Sequence, residues 1–151
     1  MKEPISRAPR VLFLCTGNSC RSQMAEGWLR AMAGDRLQAL SAGTRPVGVN
    51  PRAVSTMAAQ GVDIAGQRSE DVADYLADPP ELVIAVCDRA AASCPTLPGA
   101  TAVLRWPFDD PAEATGSEAE VAAVFERVCG EIRDRIAAWL AEGAPPLSIA
   151  R

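Results

Sequence analysis

No histidine occurs in these 151 residues, and tyrosine appears once and phenylalanine three times. Each shortage removes a class of chemistry. Without imidazole there is no Ser–His or Cys–His nucleophile pair, and any zinc site would fall to cysteines and carboxylates alone. Neither C-x-x-C nor H-E-x-x-H spacing is present, so no metal site is expected. Basic residues are also short, 15 against 19 acidic, for a net charge of −4. That is the wrong sign for a general binder of phosphate backbones, and nucleic acid is not an expected partner. An anionic ligand would need a local device made of backbone amides and a few cations. Long apolar runs are missing too: the opening MKEPISRAPR is followed by only five apolar residues, VLFLC, too few for a signal-peptide core or a membrane span. A cytoplasmic chain is expected, with no membrane partner.

Against that background the five cysteines stand out. An odd count in a cytoplasmic chain points to thiol chemistry or buried hydrophobes rather than to a disulfide framework. Their positions follow the order of elements. RVLFLC, at 10–15, is an apolar run of strand length, followed by turn-forming TGNS and then by CRSQMAEGWLRAMAG, where Met24, Trp28 and Met32 recur at helical spacing before a stop at Gly34. LQALSAG is a second strand ending at Gly43, and NPRAVSTMAAQG carries Asn50 as cap, Pro51 at the first helical position and Gly61 at the end. SEDVADYLA is expected to start a further helix, capped by Ser69. ELVIAV and TAVLRW are the third and fourth strands, and residues 118–141 place Val121, Phe125, Val128, Ile132, Ile136 and Trp139 on one helical face. Alternating strands and helices predict an α/β fold with a mainly parallel sheet, one domain over 1–151, with 1–9 and 143–151 as loose tails. In such a sheet the ligand site lies past the carboxyl ends of the strands, where CTGNSCRS, CDRAAASC and PFDDPAE are delivered together.

Within the first of these loops, Cys15 and Arg21 are separated by Thr16, Gly17, Asn18, Ser19 and Cys20, and Ser22 follows. A loop of this length between a strand and a helix can turn its N–H groups inward above the helix N-terminus and so bind a tetrahedral oxyanion. Arg21 would close on two oxygens with its planar fork. The same nest favours negative charge on sulfur, which makes Cys15 the expected nucleophile, with Ser22 donating to its thiolate. Gly17 and Asn18 suit the positive φ angles such loops use. Cys20 is read as a cradle-loop thiol without a catalytic role, and Cys129, between Phe125 and Ile132 on the last helix, as core.

The stretch VLFLCTGNSCRSQMAEG resembles the signature of the low-molecular-weight protein tyrosine phosphatase superfamily, and within it that of the thioredoxin-coupled arsenate reductases. The similarity continues in order through SAGT, NPRAV, GVDI, VIAVCDRAAASCP and WPFDDPA into the last helix. It implies a three-layer fold, flavodoxin-like, with a four-stranded parallel sheet and helices on both faces, and a monomer. It implies that Asp110, before Pro111, is the general acid, with Asp109 a solvent-facing or loop-stabilising neighbour. Tyrosine phosphatases of this superfamily usually carry aromatic residues after that proline. Here stand Ala112 and Glu113, which suits a small inorganic anion better than an aryl phosphate.

The resemblance also brings in Cys87 and Cys94, seven residues apart with DRAAAS between them. In a helix their Cα atoms would lie about 10 Å apart, beyond the limit of about 7 Å for a disulfide, so a bond between them requires the segment to unwind. The implied activity is reduction of arsenate to arsenite by a relay through Cys15, Cys87 and Cys94, reset by thioredoxin and needing no cofactor. The resemblance further implies a monovalent-cation site, potassium, at Asn18, Glu26, Ser41 and Glu70, the last an aspartate in relatives. Two other functions use the same cradle: a phosphatase working with Cys15, Arg21 and Asp110 only, and a non-catalytic oxyanion-binding module.

Overall fold

A computed structural model describes residues 7–87, 97–100 and 102–149. Its strands are β1 (Arg10–Cys15), β2 (Gln38–Gly43), β3 (Leu82–Cys87) and β4 (Val103–Pro107), and its α-helices are α1 (Arg21–Ala33), α2 (Pro51–Ala59) and α3 (Glu118–Ala141). All four strands are parallel in the order β2-β1-β3-β4, which puts β1 and β3 in the middle. Both are continuous apolar runs because a central parallel strand is covered on two sides.

Alternation along β1 divides the interior. Val11, Phe13 and Cys15 face a core built with α1, α2 and α3, while Leu12 and Leu14 face a smaller one with Ala42, Val83 and Leu97. The three α-helices pack against one another on the first face. Among the described residues the second face is covered by Val72 and Tyr75 and by Leu97 and Ala100. The layers are those expected. Fully buried Phe13, Met24, Phe125, Ile132 and Ile136 each contribute on the order of 1.5–3 kcal/mol, so the α-helical side carries most of the stability.

The element ends have local causes. Gly34, at φ +58, closes α1 by donating its N–H to Arg30 O, a backbone setting that glycine adopts without strain. Asn50 caps α2 by accepting from Arg52 N, and Ser117 with Glu120 forms a capping box at the start of α3. Two expectations are corrected. SEDVADYLA forms one 3-10 turn, Val72–Tyr75, capped by Asp71 rather than Ser69. Residues 143–149, expected to be loose, fold back: Ala144 is buried, Ile149 N donates to Gly143 O and Trp139 Nε1 donates to Pro145 O.

Candidate active site

Cys15 ends a fully buried strand and Arg21 begins α1, so the five residues between them must turn the chain through the edge of the sheet. What shapes this turn is where its carbonyls go. Cys15 O accepts from Thr44 N, Thr16 O from Arg45 N, Gly17 O from Val47 N, Ser19 O from Asn50 N and Cys20 O from Met24 N. Ser69 Oγ donates to both Gly17 O and Asn18 O, and Gln23 Nε2 also reaches Asn18 O. Apart from Cys20 O, which takes the first bond of α1, the carbonyls of the turn are therefore held from outside, mostly by residues 44–50, which leaves the peptide N–H groups to face inward above the positive end of α1. Asn18 has φ 48 as expected, while Gly17 is not in the left-handed region. A Cβ at Gly17 would come within 3.2 Å of the exposed Val47 side chain, a tight contact. Gly43, read from sequence only as a strand end, is the tighter case: a Cβ would lie 2.5 Å from Thr16 O and 2.9 Å from Asn18 N.

A chain of hydrogen bonds ends on the sulfur of Cys15. Glu70 N donates to Asn18 Oδ1 at 2.8 Å, which fixes the amide so that Asn18 Nδ2 donates to Ser22 Oγ at 2.8 Å. Ser22 Oγ in turn lies 2.9 Å from Cys15 Sγ, a contact in which either atom can donate, and Asn18 N–H donates to the same sulfur at 3.2 Å. Arg21 is buried; its Nη1 donates to Phe108 O and its Nη2 lies 3.6 Å from Asp110 Oδ2. Asp110 also caps the short turn Pro111–Glu113 by accepting from Ala112 N. Cys15, Thr16, Gly17, Arg21 and Asp110 line a hollow of about 390 Å³, with Val47, Ala112 and Glu113 at its sides. Among the described residues, no aromatic side chain lines it. Asp109 points elsewhere, 3.1 Å from Arg127 Nη2 on α3.

The remaining thiols separate clearly. Cys20 is buried, and that burial pushes its pKa up to about 11, against a smaller lowering by Ser19. It has the opposite character to a nucleophile. Cys129 is core as expected, donating to Met57 Sδ, with burial raising its pKa. Cys87 is placed by its backbone as the last residue of β3, the direct neighbour of β1, with Leu14 opposite Ala85. The carboxyl ends that carry Cys15 and Cys87 are thus side by side. Cys94 lies outside the described residues.

The four residues expected to hold a monovalent ion do lie near one another, but their oxygens are engaged. Ser41 Oγ donates to Glu26 Oε1 at 2.6 Å, Arg30 Nη2 bonds Glu26 Oε2, Tyr75 OH donates to Glu70 Oε1 at 2.5 Å and Glu70 N takes Asn18 Oδ1. The Arg30 guanidinium on Glu26 already supplies the positive charge that a monovalent ion would bring, and would repel such an ion there, so these residues do not fit potassium. Among the described residues there is also no cluster of three metal-ligating side chains.

Sequence reasoning missed the outer ring: Ser69, Gln23 and residues 44–50. A group that serves a loop distant in the chain, as the Ser69 hydroxyl serves Gly17 and Asn18, leaves no local periodicity to detect.

The likeness to known proteins matches this geometry. The family model for low molecular weight phosphotyrosine protein phosphatase matches residues 10–144. An arsenate reductase of Halalkalibacterium halodurans is 46% identical over 133 residues, covering 88% of this chain and 96% of the relative. Among solved structures, an arsenate reductase in the phosphate binding state superposes with a TM-score of 0.73 at 30% identity, covering 89% of this chain and 98% of that one. A thioredoxin-dependent arsenate reductase of Corynebacterium glutamicum follows at 0.65 and 26%, over 92% and 65%. With its cradle, its buried arginine and its acid loop in place, the chain belongs to the low molecular weight phosphotyrosine protein phosphatase family, on the branch formed by the arsenate reductases.

Proposed function

We propose that this protein reduces arsenate to arsenite through a three-thiol relay. The observation that carries the reading is Cys15 Sγ lying within hydrogen-bond reach of Ser22 Oγ and Asn18 N in a hollow walled by Ala112 and Glu113 where an aryl ester would need aromatic contacts. Arsenate is a tetrahedral oxyanion, and the inward amides with Arg21 stabilise the charge on its oxygens. The Cys15 thiolate attacks arsenic, forming an S–As bond as an As–O bond breaks. Asp110 gives its proton to the departing oxygen, which leaves as water. The Cys87 thiolate then attacks Cys15 Sγ. The electron pair of the S–As bond passes to arsenic, which goes from As(V) to As(III) and departs as arsenite, leaving a Cys15–Cys87 disulfide. Cys94 attacks Cys87 Sγ and frees the Cys15 thiolate. The resulting Cys87–Cys94 disulfide is reduced by thioredoxin, which supplies the two electrons that balance the cycle, in a cytoplasm that keeps thiols reduced.

The neighbouring ends of β1 and β3 support the first exchange, since adjacent strands are about 4.8 Å apart. Phosphate fits the same hollow but cannot accept electrons from thiols, so it acts as a weak competitive inhibitor. The deciding experiment is disulfide mapping by mass spectrometry after one turnover with arsenate, on the whole chain and on Cys94→Ser. The whole chain should lose the free thiols of Cys87 and Cys94. Cys94→Ser should release one arsenite per chain and stop at a Cys15–Cys87 disulfide. Continued turnover of Cys94→Ser with thioredoxin would overturn the relay, and arsenate binding with no loss of thiols would overturn the activity.

A further inference from the structure

The Glu26 corner of the expected cation site carries a positive group of the chain's own. Glu26 is buried on the inner side of α1, and a buried carboxylate needs a compensating positive charge. The Arg30 guanidinium, one turn further along the same helix, supplies it: Nη2 bonds Glu26 Oε2 and reaches Ala39 O at 3.2 Å, while Nη1 donates to Gln67 Oε1 at 2.8 Å. We propose that Arg30 is the resident cation of this site, that it stands where relatives would hold a monovalent metal ion, and that the protein binds no potassium there.

Three features support this. The pair Glu26 and Arg30 is neutral together, so an entering potassium ion would meet a guanidinium on the very carboxylate it must share. Glu70 is drawn away as well: Tyr75 donates to it at 2.5 Å, and burial followed by that bond raises the phenol's pKa, so the tyrosine stays a donor. Finally, the guanidinium is wired to the cradle. Gln67 Nε2 donates to Gln23 Oε1 at 2.8 Å, and Gln23 Nε2 donates to Asn18 O at 3.0 Å. Every donor in this series points away from Arg30, so the charge at its head polarises each bond in turn. Arg30 is thus a positioning residue for the oxyanion loop, tethered by its own helix and independent of the salt around it.

The test uses two equilibrium properties, thermal unfolding and affinity for inorganic phosphate, so its failure is distinct from failure of arsenate reduction. Both are measured in potassium chloride and in tetramethylammonium chloride at equal ionic strength. The wild-type chain should give the same Tm and phosphate Kd in both salts. Arg30→Ala, which opens the carboxylates, should melt about 2–4 °C lower in tetramethylammonium and bind phosphate several-fold more weakly. Potassium should restore both, saturably, and Arg30→Lys should hold the wild-type phosphate affinity in either salt. A saturable potassium-specific rise in wild-type Tm overturns the proposal, and this holds even if Arg30→Ala does not fold. So does an Arg30→Gln variant with unchanged phosphate affinity and no response to potassium.

Discussion

Ser22 Oγ sits 2.9 Å from Cys15 Sγ while itself accepting a hydrogen bond from Asn18. That bond holds the hydroxyl in place and leaves it a proton to give to the Cys15 thiolate during attack. Removing it takes one hydrogen bond from a charged group, worth about 1.5–3 kcal/mol. Ser22→Ala should then slow the attack of Cys15 by about 10–100-fold, measured both as kcat with arsenate and as the rate of alkylation by iodoacetate. Affinity for phosphate should change little, because the amides and Arg21 remain.

The two cysteines of the loop should differ in reactivity as their surroundings do. Cys20, with its pKa raised to about 11 by burial, is a neutral thiol at pH 8, and only thiolates are alkylated at useful rates. Peptide mapping after brief iodoacetamide treatment at pH 8 should find Cys15 modified and Cys20 unmodified. Label on Cys20 should appear only as the pH approaches 11. Cys20→Ser should keep turnover within about two-fold, a range set by the small energies of conservative loop changes.

Asp110→Asn retains an oxygen to cap Ala112 N–H, so the loop should hold its shape while losing its proton. General acids contribute about 10²–10⁴-fold. The variant should lose that much in kcat for arsenate at unchanged phosphate affinity. An equal rise in KM with normal kcat would instead make Asp110 a binding residue.

Gly43→Ala should be far more harmful than its place at a strand end suggests. The new methyl would sit 2.5 Å from Thr16 O, and that neighbour is backbone, which cannot swing aside. Overpacking of this kind costs about 1–3 kcal/mol. Thermal unfolding should report that loss, and phosphate binding should weaken with it because the displaced peptide is part of the cradle.

How much of this was legible depends on where each residue's partners lie. β1, its loop and α1 were readable because strand, turn and helix signals are local and adjacent, and the spacing of Cys15 and Arg21 is part of the same stretch. The bounds of α3 were readable because Ser117, Glu120 and the stripe from Phe125 to Trp139 are a self-contained pattern. Ser69 was misread for the opposite reason: its hydroxyl serves the carbonyls of Gly17 and Asn18, so a good helix cap is used elsewhere and Asp71 takes the local role. Gly17 was expected to take a positive φ and does not, that role falling to Asn18 alone in the loop. The role of Arg30 was hidden because an exposed-looking helical arginine gains meaning only from Glu26, Ala39 and Gln67 around it.

The ring of donors from residues 44–50 onto the carbonyls of the loop divides one property between two places in the chain. The cysteine-to-arginine stretch supplies what an anion touches; the later segment keeps that stretch in the form of a bowl. A descendant with the first intact and the second rewritten would pass any inspection by signature, yet hold nothing. Engineering of a new anion preference in this scaffold should accordingly begin outside the motif, where the shape is set.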